Sequence, residues 1–565
     1  MKNITVLQHI VLFLSFIILT LAFFMPFIPK WDEDTVGSFD TYWSLWAIWH
    51  FSYQIDHAEN PFHTTLIFSP LGANLFLSQT PLISFFLSYP LNKIFGLFGT
   101  YNILLLSSFV LSGYCAYLLL FYLTKNCYGS FLGATIFSFS SQHLAQAVRH
   151  LNLVHIEFVP LFFLYLIQAL KEGRKRDWVI SAAILGFMAY IEIRIFMMTL
   201  LVSIPLIYYL KSPQVLIKAK ENISIFALIL FLIILPYAII SMKELFLEKN
   251  IGFSSLAMHV FYSPDILGFI IPPPQSFFFG NLTKYFYDMV ISQRKIGNSM
   301  QFFWDIDLTN YMGISALVLS IIAWKSVKEI DYIKKTMIWT CVLLLGPLPW
   351  VAGNLLPIIL PYLPFFLIPG LNILRVPTRF DLLFMLFIGI LAGFGFSILS
   401  THMKKIEIGL FAFLLFLIII ENYAYFPTLD KTYNSFYNHV INEKKGTIIY
   451  VPFYPNLFDE RTVKLIYLQT IHKNKINVGG LTITPQSLYH FYTSGCNKEL
   501  YTINFSTCKK NDFMLPEDAH YLIYTKEYEK IYSFNLQYAN ATLTKEFGNA
   551  IYEDNELSVF CINKC

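Results

Sequence analysis

Asp40 is the residue with the clearest chemical potential. It follows Trp31-Asp32-Glu33-Asp34-Thr35-Val36-Gly37-Ser38-Phe39 and precedes the aromatic run Thr41-Tyr42-Trp43-Ser44-Leu45-Trp46-Ala47-Ile48-Trp49. A carboxylate at the head of an aromatic amphipathic segment can face a hydroxyl group at an interface and take its proton. The plainer alternative makes Asp40 a helix cap and leaves Asp32, Glu33 and Asp34 in a solvated loop. Asp34 is retained as a candidate substrate contact. A second centre is Leu374-Arg375-Val376-Pro377-Thr378-Arg379-Phe380-Asp381. Two guanidinium forks there fit a phosphate diester or pyrophosphate through paired N–H donors; the alternative is pairing with Asp381 and with ordinary lipid headgroups.

Other polar residues stand in apolar surroundings and need partners. Glu157 lies inside an apolar run, where an unpaired charge is expensive, and Arg149 is the nearest candidate to neutralise it. Arg149 is also a candidate third cation for the phosphate, with His150 beside it as a substrate contact. Glu192 and Arg194 are two residues apart and do not share a helix face, so a turn or separate partners are expected instead of a local salt bridge. Asp265, together with His259 and Pro272-Pro273-Pro274, falls in a polar stretch that ends at Asp305-Ile306-Asp307. Asp305 and Asp307 are the candidates for a divalent metal ion, although hard cations need several more oxygens. Asp265, Asp307 and Glu192 complete the set of candidate substrate contacts in this part of the chain.

The elements that must position these residues follow from composition. Of 565 residues, 56% are hydrophobic and 13% charged, too apolar for one water-soluble core. Apolar runs near the length needed to cross roughly 30 Å of hydrocarbon as helix recur from Leu12 to Asn422. Helices, not a barrel, fit that pattern. The net charge of +4 is spread in short basic groups without an aromatic-lined groove, which excludes nucleic acid as a partner class. The N-terminal run lacks a small-residue cleavage site and reads as a retained first helix.

Lys2, Lys125, the run Lys171 to Arg176, Lys211 to Lys220, Lys325 to Lys335 and Lys404-Lys405 mark the cytoplasmic side. Alternation between them predicts about eleven transmembrane helices in a domain spanning residues 1–425, with large external loops at 30–100 and 241–309. The predicted spans include 129–145, 151–170, 178–191, 195–210 and 380–400. Segment 76–97, broken by Pro81 and Pro90, lies at the outer face by parity. Beyond residue 430 the pattern turns to short strand-like runs such as Thr447-Ile448-Ile449-Tyr450-Val451, which predicts a separate extracytoplasmic mixed α/β domain over 430–565. Its cysteines, Cys496, Cys508, Cys561 and Cys565, allow three complete pairings, most simply Cys496 with Cys508 and Cys561 with Cys565.

An ordered set of segments then carries a resemblance: Phe39-Asp40 with its spaced tryptophans, Asn60-Pro61-Phe62-His63-Thr64, Phe68-Ser69-Pro70-Leu71-Gly72-Ala73-Asn74-Leu75 and Tyr101-Asn102. Ser263 to Pro272, Tyr311-Met312-Gly313, Arg375 to Phe380, Tyr467 to His472 and Val478-Gly479-Gly480 continue it. Together they resemble an uncharacterised group of bacterial and archaeal multi-pass proteins related to the GT-C glycosyltransferases. The resemblance implies a GT-C-like polytopic helical fold and a polyprenyl-phosphate sugar as donor, with Asp40 as the acid of the first external loop. It also implies inverting transfer to a lipid-linked or cell-envelope glycan acceptor at the outer leaflet of the cell (inner, cytoplasmic) membrane. Arg375, Arg379 and Arg149 would bind the donor phosphate, and Gln469, His472 and the Gly479-Gly480 pair would close over the acceptor. The sequence departs from the family pattern in two places. Asp32-Glu33-Asp34 precedes Asp40 by several residues instead of forming Asp-x-Asp with it, and Thr309 and Asn310 stand where an acid usually precedes Tyr-x-Gly. The rival expectation is a non-catalytic lipid- or glycan-handling protein on the same scaffold.

Overall fold

The computed structural model describes residues 5–25, 28–76, 82–210, 220–247, 250–251, 255–294, 308–368, 370–429, 431, 433–437, 446–453, 460–479, 484–504, 508–526 and 536–563. The chain is mostly helical. Helix α1 (Val6–Phe23) is followed by α2 (Phe39–Asp56), α3 (Leu82–Thr124), α4 (Cys127–Ser138), α5 (Ser141–Ala147), α6 (Phe158–Glu172), α7 (Lys175–Ile191), α8 (Ile193–Leu210) and α9 (Lys220–Leu247). After a region with two further helices, Leu256–Phe261 and Gly280–Gln293, come α10 (Ile314–Ser326), α11 (Asp331–Leu344), α12 (Asp381–His402) and α13 (Glu407–Asn422).

Five helical stretches among the described residues are long and apolar enough to cross a membrane: Val6–Phe23, Phe86–Thr124, Ile193–Leu210, Lys220–Met242 and Pro377–His402. The expected count of about eleven is not reached on that criterion. Helices α4, α6, α7, α10, α11 and α13 have 12 to 17 residues. At 1.5 Å per residue that is about 18–26 Å, short of the hydrocarbon thickness. Two predicted spans are also interrupted. The run 129–145 breaks at Phe139, because the Ser140 hydroxyl accepts the His143 N–H (3.4 Å) and starts a new helix. The run 151–170 becomes helical only at Phe158.

Lipid exposure is visible in the side chains. Helix α9 presents Leu228, Phe231, Leu232 and Ile239 with more than half of their surface uncovered, and α1 does the same with Val6, Leu7 and Ile18. A helix apolar all round and uncovered by protein needs lipid around it. These helices make the protein membrane-embedded.

Helix α12 is the buried centre. A side chain at Gly133 would collide with the Gly389 carbonyl and one at Gly389 with that of Gly133, while Gly129 and Gly393 meet in the same reciprocal way. Two small-xxx-small repeats thus let α4 and α12 touch backbone to backbone. The pairing 129 with 393 and 133 with 389 makes the two helices antiparallel. Asn126, at the start of α4, accordingly donates to Ser400, at the end of α12 (3.3 Å). The other end of α4 lies beside the start of α12.

Helix α3 contains two helices joined at Gly96, whose φ of 70° breaks the helical path. The first half lies along α2: Lys93 pairs with Asp56 (2.6 Å) and the Tyr89 hydroxyl donates to Asp56 (3.1 Å).

The C-terminal region forms a five-stranded sheet from β1 (Thr447–Val451), β2 (Lys475–Ile476), β3 (Ala519–Thr525), β4 (Tyr552–Glu553) and β5 (Leu557–Cys561). Strand order is β4-β5-β3-β1-β2, with β1 parallel to both β2 and β3 and the β5 pairings antiparallel. Helix α14 (Glu460–His472) connects β1 to β2 and packs on α2. Cys496 and Cys508 form a disulfide. Cys561 is also disulfide-bonded, and Cys565 lies outside the described residues.

The glycine crossing yields a test. Gly133→Ala should destabilise the protein by about 1–3 kcal/mol through overpacking. Gly409→Ala, on the open face of α13 with nothing within 4 Å, should be neutral or slightly stabilising. Thermal unfolding in detergent compares the two; equal melting temperatures would show that the crossing carries no load.

Candidate functional site

The first turn of α2 is tied to the end of α5. The Val148 carbonyl accepts from the Ser38 N–H (2.8 Å), the Ser38 hydroxyl (3.3 Å) and the Thr41 hydroxyl (3.3 Å). The chain leading into α2 is fixed as well. Asn102 donates to the carbonyls of Trp31 (2.6 Å) and Asp34 (2.9 Å) and accepts from the Thr35 hydroxyl (2.6 Å). Thr35 and Val36 pair with Leu429 and Thr428 as a short antiparallel ladder. Asp34 is therefore held by its main chain, with its side chain half-buried.

Asp40 sits inside the first turn of α2, and Ser38, not Asp40, is the N-cap residue. The Asp40 carboxylate lies 3.5 Å from His150 Nε2, with 16% of its side chain exposed. The acid is thus reachable from solvent and supported by the helix N-terminus. Arg149, which precedes His150 in the sequence, is half-buried.

Arg375 and Arg379 lead into α12, in and just before the 3-10 turn Pro377–Phe380. Arg375 is half-buried and Arg379 buried. Thr378 anchors this turn by donating its hydroxyl to the Tyr262 carbonyl. Asp381 is fully buried, and neither carboxylate oxygen finds a hydrogen-bond partner among the described residues. The expected alternative, in which the arginines pair with Asp381, is therefore not formed. Both arginines precede α12 and the Asp40–His150 pair follows α5, so the antiparallel α4–α12 crossing puts the two groups at the same end of the helical domain.

Several expectations about individual residues are corrected. Glu157 meets His155 Nδ1 (3.2 Å), not Arg149. Glu192 and Arg194 do form a local pair, with Arg194 Nε and Nη2 donating at 2.5 and 2.8 Å. They can do so because Glu192 is extended (φ −155°, ψ 107°) between α7 and α8, which folds the two side chains together; Asn152 also donates to Glu192. The Asp265 carboxylate accepts the backbone N–H groups of Leu267 (3.0 Å), Ala352 (3.1 Å) and Gly353 (2.8 Å), so it cross-ties two turns. Gln469 does not face an open acceptor cleft. Its Nε2 donates to Leu66 O (2.7 Å) and Asn474 O (2.8 Å), and its Oε1 accepts from Trp46 Nε1 (2.8 Å). His472 is buried against the Tyr437 ring and accepts the Asn474 N–H (3.1 Å). Gly480, Asp305 and Asp307 lie outside the described residues. Among the described residues no three His, Cys, Asp or Glu side chains gather to hold a metal.

One acid escaped sequence reasoning. Glu421, in the last turn of α13, accepts the Ser315 N–H (3.1 Å) and hydroxyl (3.0 Å) at the start of α10. It borders a cavity of about 20 Å³ lined also by Val148, Gln275, Thr309 and Asn422. That is room for about one water molecule. Its signal in the sequence was an acid at the end of an apolar run.

Two solved structures share this fold. The arabinofuranosyltransferase AftD from Mycobacteria is 11% identical and superposes with a TM-score of 0.55 over 100% of this chain. The present chain spans 42% of the AftD length. ArnT from Cupriavidus metallidurans, solved bound to undecaprenyl phosphate, is 8% identical with a TM-score of 0.50 over 99% of both chains. The Archaeoglobus fulgidus oligosaccharyltransferase tethered to an acceptor peptide gives 10% identity and a TM-score of 0.47, over 96% of this chain and 71% of its own. No family model matches the sequence, and no curated protein matches it. The fold is GT-C-like, with a C-terminal sheet region.

Three buried histidines outside the five long apolar helices carry a pH signature. Burial pushes His50 and His472 down to about 3. Burial, and then the positive charge of Arg375, pushes His259 down to about 4. The unfolded chain binds these protons near the ordinary value of about 6.5, so their contribution is complete above that pH and is lost as pH falls toward 4 and below. The melting temperature should be level from pH 8 to about 6.5 and decline on further acidification. A rise in stability between pH 6.5 and 4.5 would contradict neutral burial of these rings.

Proposed function

We propose that this protein is an inverting glycosyltransferase that moves a sugar from a polyprenyl-phosphate donor to a lipid-linked or cell-envelope glycan acceptor. The reaction takes place at the outer leaflet of the cell membrane, with the C-terminal domain extracytoplasmic. The observation that carries the reading is the solvent-reachable Asp40–His150 pair at 3.5 Å, at the same helical end as Arg375 and Arg379. A polyprenyl phosphate is what the ArnT structure of the same fold holds.

In this reading the acceptor hydroxyl attacks the anomeric carbon as the bond from that carbon to the phosphate oxygen breaks. The electron pair leaves on the polyprenyl phosphate, and the hydroxyl proton passes to Asp40. Arg375 and Arg379, with Arg149, stabilise the charge that grows on the departing phosphate. His150 orients the Asp40 carboxylate. Asp34 is a further candidate for acceptor contact from the loop that Asn102 fixes.

Asp40→Asn keeps the size of the side chain and removes the base, so turnover should fall about 10²-fold or more. Membrane abundance should stay near wild type. Arg375→Lys keeps the charge and loses the planar fork, and should chiefly weaken donor binding. Transfer of labelled sugar from a lipid-phosphate donor in reconstituted vesicles measures both. Wild-type turnover in Asp40→Asn would remove Asp40 as the base.

A further inference from the structure

A cleft of about 440 Å³ opens in the C-terminal region. That is within the range of roughly 300–1,000 Å³ common for small-molecule sites. One wall is a stripe of α14, Arg461, Lys464, Leu465 and Leu468, whose spacing puts them on a single helix face. The neighbouring Tyr467 and Gln469 belong to the face that packs on α2: the Tyr467 ring lies 5.0 Å from that of Tyr42, and Gln469 bonds Trp46. The cleft is therefore about one helix thickness, roughly 10 Å, from the part of α2 that carries Asp40. A second wall, Tyr433 and Asn434, comes from the segment just after Leu429, the residue paired with Thr35. Thr525, at the end of β3, and the turn Asp554-Asn555-Glu556 close the third side.

The polar groups fall into a brace and a set open to a ligand. Asp554 is the brace. Its Oδ1 accepts the N–H groups of Glu556 (2.7 Å) and Leu557 (2.8 Å), and its Oδ2 accepts from Asn434 Nδ2 (2.8 Å) and the Tyr552 hydroxyl (2.7 Å). Thr525 is only 7% exposed, and its hydroxyl has no hydrogen-bond partner among the described residues. A buried hydroxyl left in that state costs stability, and a bound ligand that bonds it removes the cost. Glu556, exposed, accepts from Asn434 through Oε2 (3.0 Å) and keeps Oε1 as an acceptor, while Lys464 supplies N–H donors. The Tyr433 ring, Leu465 and Leu468 add apolar surface between these groups.

The charges on the walls cancel, Arg461 and Lys464 against Asp554 and Glu556. Beside the rim, Lys526 and Glu553 pair with each other (2.9 Å). Neither an anion nor a cation is favoured by that balance. Thr525 and Leu557 are partners in the β3–β5 ladder, so no strand edge is open here to a peptide. A donor, an acceptor and a hydroxyl that does both, set around apolar patches, match a ligand whose hydroxyls donate and accept and whose C–H faces are apolar.

We propose that this cleft binds a neutral saccharide. Its assignment as the outer sugars of the acceptor, held while the reacting hydroxyl reaches Asp40, rests on the glycosyl-transfer reading; the binding itself does not.

The test uses the full-length protein, fluorescently labelled in a detergent without a sugar headgroup, on a printed array of neutral and acidic bacterial oligosaccharides. Neutral saccharides should be retained. Glu556→Gln and Thr525→Val should each weaken retention about three- to tenfold, and Thr525→Ser, which keeps the hydroxyl, should preserve it. Thr525→Val should also leave the melting temperature unchanged or raise it, because it removes a hydroxyl that has no partner in the free protein. No donor or turnover enters, so retention by a protein that transfers no sugar would uphold the site and remove only its acceptor role. Failure to retain any neutral saccharide, retention of acidic ones alone, or wild-type retention by both Glu556→Gln and Thr525→Val would overturn the proposal.

Discussion

The close crossing of α4 and α12 is the constraint on which the rest of the structure depends. In lipid, apolar surface between helices gains little by association, so close packing must supply the attraction. Gly129 and Gly133 on one helix and Gly389 and Gly393 on the other remove the side chains that would hold the backbones apart. The contact is antiparallel, and this fixes which loops become neighbours. The start of α12, with Arg375 and Arg379 before it, comes to the end where α5 delivers Arg149 and His150. The opposite end brings Asn126 to Ser400 and leaves the basic turns of α3 and α6 to form their own cleft.

Helix α2 is then locked between two bodies. Its first turn hangs on Val148, its far end on Lys93, and its flank on α14 through the Trp46 to Gln469 hydrogen bond. Gln469 is a hub in this arrangement. It is fully buried and joins α2, the Leu66 segment and the Asn474 turn before β2, so the sheet region sits on the membrane domain as a docked part. A proton-accepting carboxylate gains from such support, because its position then does not depend on a mobile loop. Asp40, the proposed base, is on a helix braced at both ends.

Much of this was legible in the sequence. The apolar runs announced the membrane helices, and the change to Thr447-Ile448-Ile449-Tyr450-Val451 announced the strand that became β1. Asp40 and the arginine pair stood out because charged side chains at the ends of apolar segments are costly and need a reason. What sequence spacing could not supply was the backbone conformation between helices. The Glu192–Arg194 pair was judged by helical geometry, but Glu192 is extended, and that reversed the expectation. Gln469 and His472 are polar residues in a helix pattern, and only the docking of α14 onto α2 shows their side chains turned inward. Glu421 reads as the end of an apolar run until α10 is seen to bring Ser315 to it. The helix count suffered because polar breaks such as Ser140 divide stretches whose hydropathy alone looks continuous.

The central claim is that a lipid-linked phosphate binds beside Arg375 and Arg379, at the end of the helical domain that holds Asp40. Photo-crosslinking with a diazirine-bearing polyprenyl phosphate in reconstituted vesicles, followed by peptide mapping, tests it directly. The account predicts labelling concentrated in residues 374–381 and lost in Arg375→Ala/Arg379→Ala. Labelling that persists in that variant, or that concentrates in residues 122–174 at the opposite end, would contradict it.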